Sequence, residues 1–341
     1  MCIKDKILNW YRPHDRNLPW RHTKDPYSIW ISEIMLQQTQ ANTVIPYYER
    51  FMETFPTVED LALGDEEVLL KLWQGLGYYR RARNIKKAAV LIHEKGMPKT
   101  FGGLKELPGI GDYTAAAIAS IAYDEPVAAI DGNLLRIYSR LYCVDEVIDR
   151  SEGKNKIFAL ANEDISRERP GDFNQAMMDL GNKICTPDDP LCLLCPLRED
   201  CAALKEGRVE ELPKKTPKKK QERLNYTLLL LDLEDSFLVE KRDRGLLHGM
   251  WGFPLLEGRL KVEDVQKYLT ERDFIPSSVE HKGNYRHIFS HRIWNIDIIY
   301  AKLDALFAKE NSGLWVERHK LEDYAIPSAF RPALEVIDGL D

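Results

Sequence analysis

Leu107-Pro-Gly-Ile-Gly-Asp-Tyr-Thr-Ala115 puts two glycines into a tight turn and runs from it straight into an Ala/Ile-rich stretch. Glycine lets a backbone turn sharply and approach a partner closely, and the helix that follows opens with free N–H groups suited to a phosphate. Taken alone, a G-x-G turn is most often a packing device. Further on, Ala129-Ile-Asp-Gly-Asn133 precedes a second helical run, Leu134 to Leu141. Asp131 there reads as a plain N-cap, the commonest use of Asp before a helix, or as a carboxylate with chemistry to do. Local evidence leaves both readings open.

On either side of this turn the pattern is helical, from residue 1 to about residue 205. Ile3, Ile7, Trp10 and Tyr11 recur at helical spacing, as do Trp30 with Ile34 and Ile31 with Met35. Pro56, Gly64, Gly75, Gly77 and Pro98 punctuate short connections. The stretch Leu212-Pro-Lys-Lys-Thr-Pro-Lys-Lys-Lys-Gln-Glu-Arg223 then breaks the texture. It is charged, holds two prolines and lacks apolar periodicity, so residues 206–223 read as a linker whose lysines suit a nucleic-acid backbone. Beyond it, Tyr226–Leu233, Ser236–Lys241 and Trp294–Tyr300 read as strands, and Val262–Arg272 and Arg331–Ile337 as helices. The expected organisation is a helical domain over 1–205 and an α+β domain over 224–341.

Four of the six cysteines lie within seventeen residues, as C-x6-C-x2-C-x5-C at Cys185, Cys192, Cys195 and Cys201. Disulfide frameworks belong to small secreted domains, so a metal site is the better reading. Structural zinc usually pairs two short C-x2–4-C arms, and only one arm here is short; the spacing suits an iron–sulfur cluster better. Pro187, Pro190 and Pro196 make the segment a loop that a bound group would have to organise.

At 44% hydrophobic and 30% charged, the composition is that of an ordinary globular protein. The N-terminus lacks the apolar stretch of a signal peptide, and Leu228–Leu231 is far too short to span a membrane. The expectation is a monomeric, cytoplasmic, bacterial-type protein. A net charge of −6 argues against gross attraction to nucleic acid, though it leaves room for a local basic face, for which Arg80, Arg81, Arg83, Lys86 and Lys87 are candidates.

The hairpin, the Asp before the next helix and the cysteine spacing together resemble the endonuclease III superfamily of DNA glycosylases, and within it the adenine DNA glycosylases. Further matching segments are Arg16-Asn-Leu-Pro-Trp-Arg21, Ile31-Ser-Glu-Ile-Met-Leu-Gln-Gln-Thr39, Gly75-Leu-Gly-Tyr-Tyr79 and Phe173-Asn-Gln-Ala-Met-Met-Asp-Leu-Gly181. The resemblance implies an all-α helix-hairpin-helix glycosylase core with a [4Fe–4S] loop, followed by an α+β Nudix-like domain. It implies double-stranded DNA as partner, with adenine opposite 8-oxoguanine or G as the site of action. Gly109 and Gly111 would bring the hairpin to phosphate, and the cluster would order a basic loop against the backbone.

One position separates the relatives. Strand-cutting members carry a lysine nucleophile two residues after the last hairpin glycine, and this chain has Tyr113. A phenol cannot form the Schiff base that an amine forms, so the resemblance implies base removal without strand cleavage. The family assigns the acid to Glu33. On a helix its neighbours at spacings of three and four are Ile29, Trp30, Leu36 and Gln37, so desolvation should raise its pKa. Asp131 should stay ionised, favoured by capping N–H groups, to face a cationic sugar, with Tyr113 and Asn133 in support. By the same resemblance Gln38 and Tyr78 wedge into the stack, while Arg16, Leu18, Trp20, Arg21 and Gln175 receive the base.

The C-terminal region lacks the R-E-x-x-E-E helix that holds magnesium in a Nudix hydrolase, so it reads as a binding module. The resemblance makes Phe289-Ser290-His291 the reader of 8-oxoguanine. Where the family has Trp-Glu-Phe-Pro, this chain has Trp251-Gly-Phe-Pro254. A strand-nicking lyase is opposed by Tyr113, and a silent lesion-binding protein by the presence of both Glu33 and Asp131.

Overall fold

A computed structural model describes residues 2–11, 18–217, 220–243, 245–306 and 313–340. The chain divides into two compact units, one made of residues 1–64 and 80–217, the other of residues 65–79 and 218–341. No helix among the described residues is long and apolar enough to cross a membrane.

The first unit is helical throughout. Its central helix, Pro26–Leu36, starts at Asp25, whose carboxylate accepts from the Ser28 backbone N–H at 2.8 Å, with Pro26 at the first helical position. Eight of its eleven residues are buried, so it is a core helix with no solvated face. Its C-terminal carbonyls, which have no partner within the helix, are satisfied from another element. Arg81, on the helix Arg80–Lys95, donates to the carbonyls of Ile34, Met35 and Gln37 at 2.7, 3.1 and 2.6 Å. Lys86 does the same for the helix Val58–Leu63, donating to Leu61 O and Ala62 O at 2.8 and 2.9 Å and to Gly64 O. Two members of the expected basic face thus point inward as helix caps; Arg80 and Lys87 are exposed.

The glycine turn joins the helix Phe101–Lys105 to the helix Asp112–Ala122. Gly109 has φ +80°, and a Cβ there would lie 2.6 Å from Asn84 Cβ, so both backbone and packing require glycine. Downstream, Asn174 is fully buried on the helix Pro170–Lys183 and ties the chain leading to Asp131. Its amide donates to Ser120 Oγ and Val127 O, both at 2.9 Å, and accepts from Ala129 N at 3.1 Å. Residues 206–217, read from composition as linker, pack on this unit: Leu212 is buried, Arg140 Nε donates to its carbonyl at 2.9 Å, and Ile148 N donates to Lys214 O at 3.0 Å. Within the stretch read as linker, the carbonyls of Val209, Leu212 and Lys214 thus accept from donors of this unit.

The second unit is built on strands β1 (Glu222–Leu233), β2 (Ser236–Lys241), β3 (Trp251–Gly252), β4 (Leu255–Glu257), β5 (Phe274–Ile288), β6 (Arg292–Leu306) and β7 (Leu314–Glu317). The order is β3-β2-β1-β6-β5, with β4 on β1 and β7 on β2. β1 and β6 run parallel at the centre, and β5 returns antiparallel on β6. The run Leu228–Leu231 alternates between two cores, as the period of a strand demands. Leu228 and Leu230 join Trp294, Ile296 and Ile298 under the helix Arg331–Asp338, while Leu229 and Leu231 join Ile299 and Ala301 under the helix Val262–Thr270. Residues 65–79 belong here by contact: Lys241 pairs with Glu67 at 2.7 Å, and Gln74 Nε2 donates to Ile326 O at 2.6 Å.

Gly252, the departure from the family's glutamate, has a local cause. A Cβ there would sit 2.5 Å from the ring of the fully buried Phe330. Restoring the family residue as Gly252→Glu is expected to overpack this contact at about 1–3 kcal/mol. Thermal unfolding should show a lowered Tm, partly recovered by adding Phe330→Leu; an unchanged Tm for the single variant would refute the packing account.

Candidate active site

The N-terminal unit contains a cleft of about 540 Å³. Leu18, Trp20, Arg21, Glu33, Gln38, Tyr113, Asp131, Asn133 and Gln175, nine of the residues expected from sequence, line it. Arg16 lies outside the described residues. Gly109 and Gly111 sit in the hairpin and do not line the cleft. Tyr78 belongs to the other unit.

Glu33 is carried on the buried helix Pro26–Leu36 and is 6% exposed. Burial pushes its carboxyl up to about 7; a hydrogen bond from Tyr113 and the charge of Arg21 pull the other way, and Asp131 adds to the rise. Tyr113, two residues past the hairpin, donates its hydroxyl to Glu33 Oε2 at 2.7 Å and lies 3.4 Å from Met178 Sδ. Burial and the nearby carboxyls hold its phenol well above the ordinary value, so it is a proton donor in a hydrogen bond. Arg21 is fixed by a two-pronged pair with Asp179, at 2.7 and 2.9 Å. Asp179 is fully buried on the helix Pro170–Lys183 and was not singled out from sequence. A lone Asp among Met177, Met178 and Leu180 was the available signal.

Asp131 is both a cap and a cleft residue. Its Oδ1 accepts from the Asn133 and Leu134 backbone N–H groups at 2.9 and 2.8 Å, and its Oδ2 from Asn133 Nδ2 at 2.8 Å. These bonds favour the ionised form as expected, yet burial outweighs them and the net shift is upward. The sequence shows the cap but not how deeply tertiary packing sets it. Asn133 is in turn gripped by Arg136, whose Nη2 donates to Asn133 Oδ1 and Gly181 O, both at 2.8 Å, while Nε donates to Cys185 O at 2.7 Å. Gly181 is obligatory there, since a Cβ would fall 2.5 Å from Asn133 Cβ.

Arg136 leads to the cysteines. All four line one small cavity with Ile137, Leu141 and Leu180. None is in a disulfide. The buried Arg140 brings its guanidinium to 3.5 Å from Cys185 Sγ, and its own carbonyl accepts from Cys201 Sγ at 3.5 Å. Among the described residues no three His, Cys, Asp or Glu side chains form a group that could hold a single metal ion. Four thiols around one cavity are a donor set that an iron–sulfur cluster could use. The basic loop expected here is absent. Between Cys185 and Cys201 the charged residues are Asp188, Asp189, Arg198, Glu199 and Asp200, and Leu191, Leu193 and Leu194 are exposed.

In the second unit Phe289, Ser290 and His291 form the tip between β5 and β6. Phe289 packs against His287 and Trp294, with ring centres 4.5 and 4.8 Å away, which leaves Ser290 and His291 exposed at the surface. Gln221 Nε2 donates to Phe289 O at 2.9 Å and holds the turn. The backbone at Gln38 and Tyr78 is left-handed, with φ of 62° and 49°, a conformation that non-glycine residues adopt rarely and often at functional positions.

The HhH-GPD superfamily of base excision DNA repair proteins matches over residues 31–162, and a NUDIX domain over residues 226–336. The chain is 34% identical to an adenine DNA glycosylase of Buchnera aphidicola subsp. Schizaphis graminum over 340 residues, covering 97% of each chain. It is 29% identical to human adenine DNA glycosylase over 408 residues, 99% of this chain and 74% of that one. Among solved structures, a thermostable thymine-DNA glycosylase aligns with a TM-score of 0.54 at 28% identity, over 60% of this chain and 95% of that one. An endonuclease III–DNA covalent intermediate aligns with a TM-score of 0.51 at 24% identity, covering 60% of this chain and 94% of that one.

The Tyr113 hydrogen bond lowers the Glu33 pKa, so Tyr113→Phe should raise its titration midpoint above about 7. Carboxyl-specific infrared or 13C NMR titration of the free protein measures it directly. An unmoved or lowered midpoint would contradict the assigned coupling.

Proposed function

The chain belongs to the adenine DNA glycosylase family, and on that footing we propose that it hydrolyses the N-glycosidic bond of adenine opposite 8-oxoguanine or G in double-stranded DNA, leaving an abasic site with the strand intact. The observation that carries this reading is a buried Glu33 with its carboxyl poised near neutrality in a cleft shared with Asp131. Adenine leaves a sugar slowly until a ring nitrogen is protonated. Glu33 supplies that proton, and below about pH 7 it holds one to give. The C–N bond then breaks with its electron pair passing to the purine, and the sugar becomes oxocarbenium-like. Asp131, whose two oxygens are oriented by Asn133 and the helix N-terminus, faces that cation until water or a transient covalent bond discharges it. Tyr113 offers no amine, so no Schiff base forms and the strand is left uncut.

The target base has to leave the stack to reach such a cleft, at a cost of a few kcal/mol. By resemblance Gln38 and Tyr78 would each wedge into the vacated stack, and the backbone at each is left-handed. Leu18, Trp20, Arg21 and Gln175 receive the adenine, and Arg16 is assigned with them by resemblance alone. Gly109 and Gly111 bring the hairpin backbone to phosphate. At Gly111 neither φ nor packing demands glycine, which fits close approach by a partner outside the chain.

Cys185, Cys192, Cys195 and Cys201 would hold a [4Fe–4S] cluster, which when bound cross-links the loop and takes no part in base removal. Ser290 and His291 would read the 8-oxoguanine edge, with Phe289 as their anchor. The working form is a monomer in the compartment that holds DNA, without membrane attachment.

Single-turnover incubation with duplex carrying adenine opposite 8-oxoguanine should give strand breaks only after alkali. Breaks without alkali would point to a lyase instead. Glu33→Gln should slow excision by about 10²–10⁴-fold while lesion binding persists; undiminished excision would remove Glu33 as the acid. Excision by the wild type should fall as pH rises through about 7, since the acid form is lost there. Combining Ser290→Ala with His291→Ala should shrink the rate preference for 8-oxoguanine over G opposite the adenine, and an unchanged ratio would place the reader elsewhere.

A further inference from the structure

A second cavity, of about 560 Å³, lies wholly within the C-terminal unit and has no part in base removal. Its volume is that of a small-molecule site. One wall is aromatic, Tyr226 on β1 and Trp294 on β6, with ring centres 5.0 Å apart. The other is the end of β2 and the turn after it, which brings Glu240 and Arg242 to the cavity, and Arg292 stands at its edge.

Two buried polar atoms here lack partners among the described residues, and a partly buried carboxylate stands with them. The Arg242 guanidinium lies 5.8 Å from the Trp294 ring centre and 5.5 Å from that of Phe330, and its buried Nε has no acceptor. No carboxylate pairs with it among the described residues; Glu240 acts on it only through space. Glu240 is partly buried and has no hydrogen bond or ion pair among the described residues, and burial pushes its carboxyl up. The indole N–H of Trp294, on a residue only 3% exposed, is likewise unsatisfied. Buried polar groups are normally paired, and the unpaired Arg242 Nε and Trp294 indole N–H at one cavity are costly for the fold. On the strand paired with Glu240, Gly252 leaves its side-chain space to Phe330, over whose ring Arg242 lies.

A ligand that satisfies these groups must be flat enough for the aromatic wall. It must offer paired acceptors to Arg242 and donors to Glu240. Guanine has this pattern: O6 and N7 accept from an arginine fork, and N1–H with the exocyclic amine donates to a carboxylate. Adenine presents a donor where Arg242 needs an acceptor, and its N1 has no hydrogen for Glu240. An arginine stacked on aromatic rings keeps its N–H edge free for such a contact. Arg292, partly exposed at the rim, is ion-paired through Nε with Glu222 at 2.9 Å, and its terminal N–H groups suit a phosphate.

We propose that this cavity is a binding site for a free guanine nucleotide, with Arg242 on O6 and N7, Glu240 on N1–H and the amine, and the base against Tyr226 and Trp294. The site stands apart from adenine excision and does not depend on that reading. Trp294 also carries Phe289 of the turn between β5 and β6, with ring centres 4.8 Å apart.

Calorimetric titration of the full-length protein with dGMP, dAMP and inorganic phosphate tests it. The expected result is one saturable dGMP site, with dAMP at least about tenfold weaker and phosphate silent. Arg242→Gln should weaken dGMP by about tenfold or more while excision from duplex is unchanged. Glu240→Gln, which is the deciding variant if Arg242→Gln lowers the Tm, should erase the preference over dAMP. No saturable dGMP binding would overturn the proposal, as would equal affinity for dAMP or an equal response to phosphate alone. Binding that survives Arg242→Gln but is lost in Gln175→Ala would put the nucleotide in the N-terminal cleft and also overturn it.

Discussion

Glu33 sits on a helix whose other buried positions are almost all apolar or aromatic, so water is replaced around its carboxyl by one phenol and the field of one guanidinium. Keeping a carboxyl there is unfavourable for its charged form, and the surrounding fold makes the arrangement persist. The helix must be buried on every side, which the hairpin helix Asp112–Ala122 and its neighbours achieve. Its far end must be capped without solvent, which Arg81 achieves. Arg21 must be held close without surrendering its charge to Glu33, and the pair with Asp179 absorbs it. Each of these residues is arranged around the same desolvated oxygen pair.

The opposite wall of the cleft is held differently. Asp131 and Asn133 rest on Arg136, and Arg136 finds carbonyl oxygens at Gly181 and Cys185 in place of a carboxylate. Arg140 repeats the device one turn later, donating to the carbonyls of Leu212, Thr186 and Pro187. Two guanidiniums thereby tie a proline-rich loop with little regular structure to the helix that begins at Asp131. A group bound by the four thiols would therefore act on the cleft through geometry. Charge transfer is not needed for the loop to matter.

Much of this was legible in the residues. The glycine turn, the Asp131 cap, the helical neighbours of Glu33 and the strand that holds Leu228–Leu231 follow from local pattern, because local spacing alone sets them. What was not legible depends on who lies opposite. Arg81 and Lys86 look like a basic surface in one dimension and are internal caps in three. The direction of the Asp131 shift needed the depth of burial, which no spacing gives. Residues 206–217 have the composition of a tether and the hydrogen bonds of a packed segment. Asp188 and Asp189 make the cysteine loop acidic in the sequence itself, against the basic loop that the resemblance implies.

The clamp at the end of the Glu33 helix bears on how such a protein finds its target. Arg81 holds the carbonyl of Gln37, and the very next residue, Gln38, already carries its left-handed φ. A residue shaped before the duplex arrives has no loop-ordering entropy left to lose on insertion. On the proposed reading, each probe of a base pair along a long polymer then costs only the disturbance of the DNA. The search is paid for once, at folding, and every later encounter draws on that rigidity.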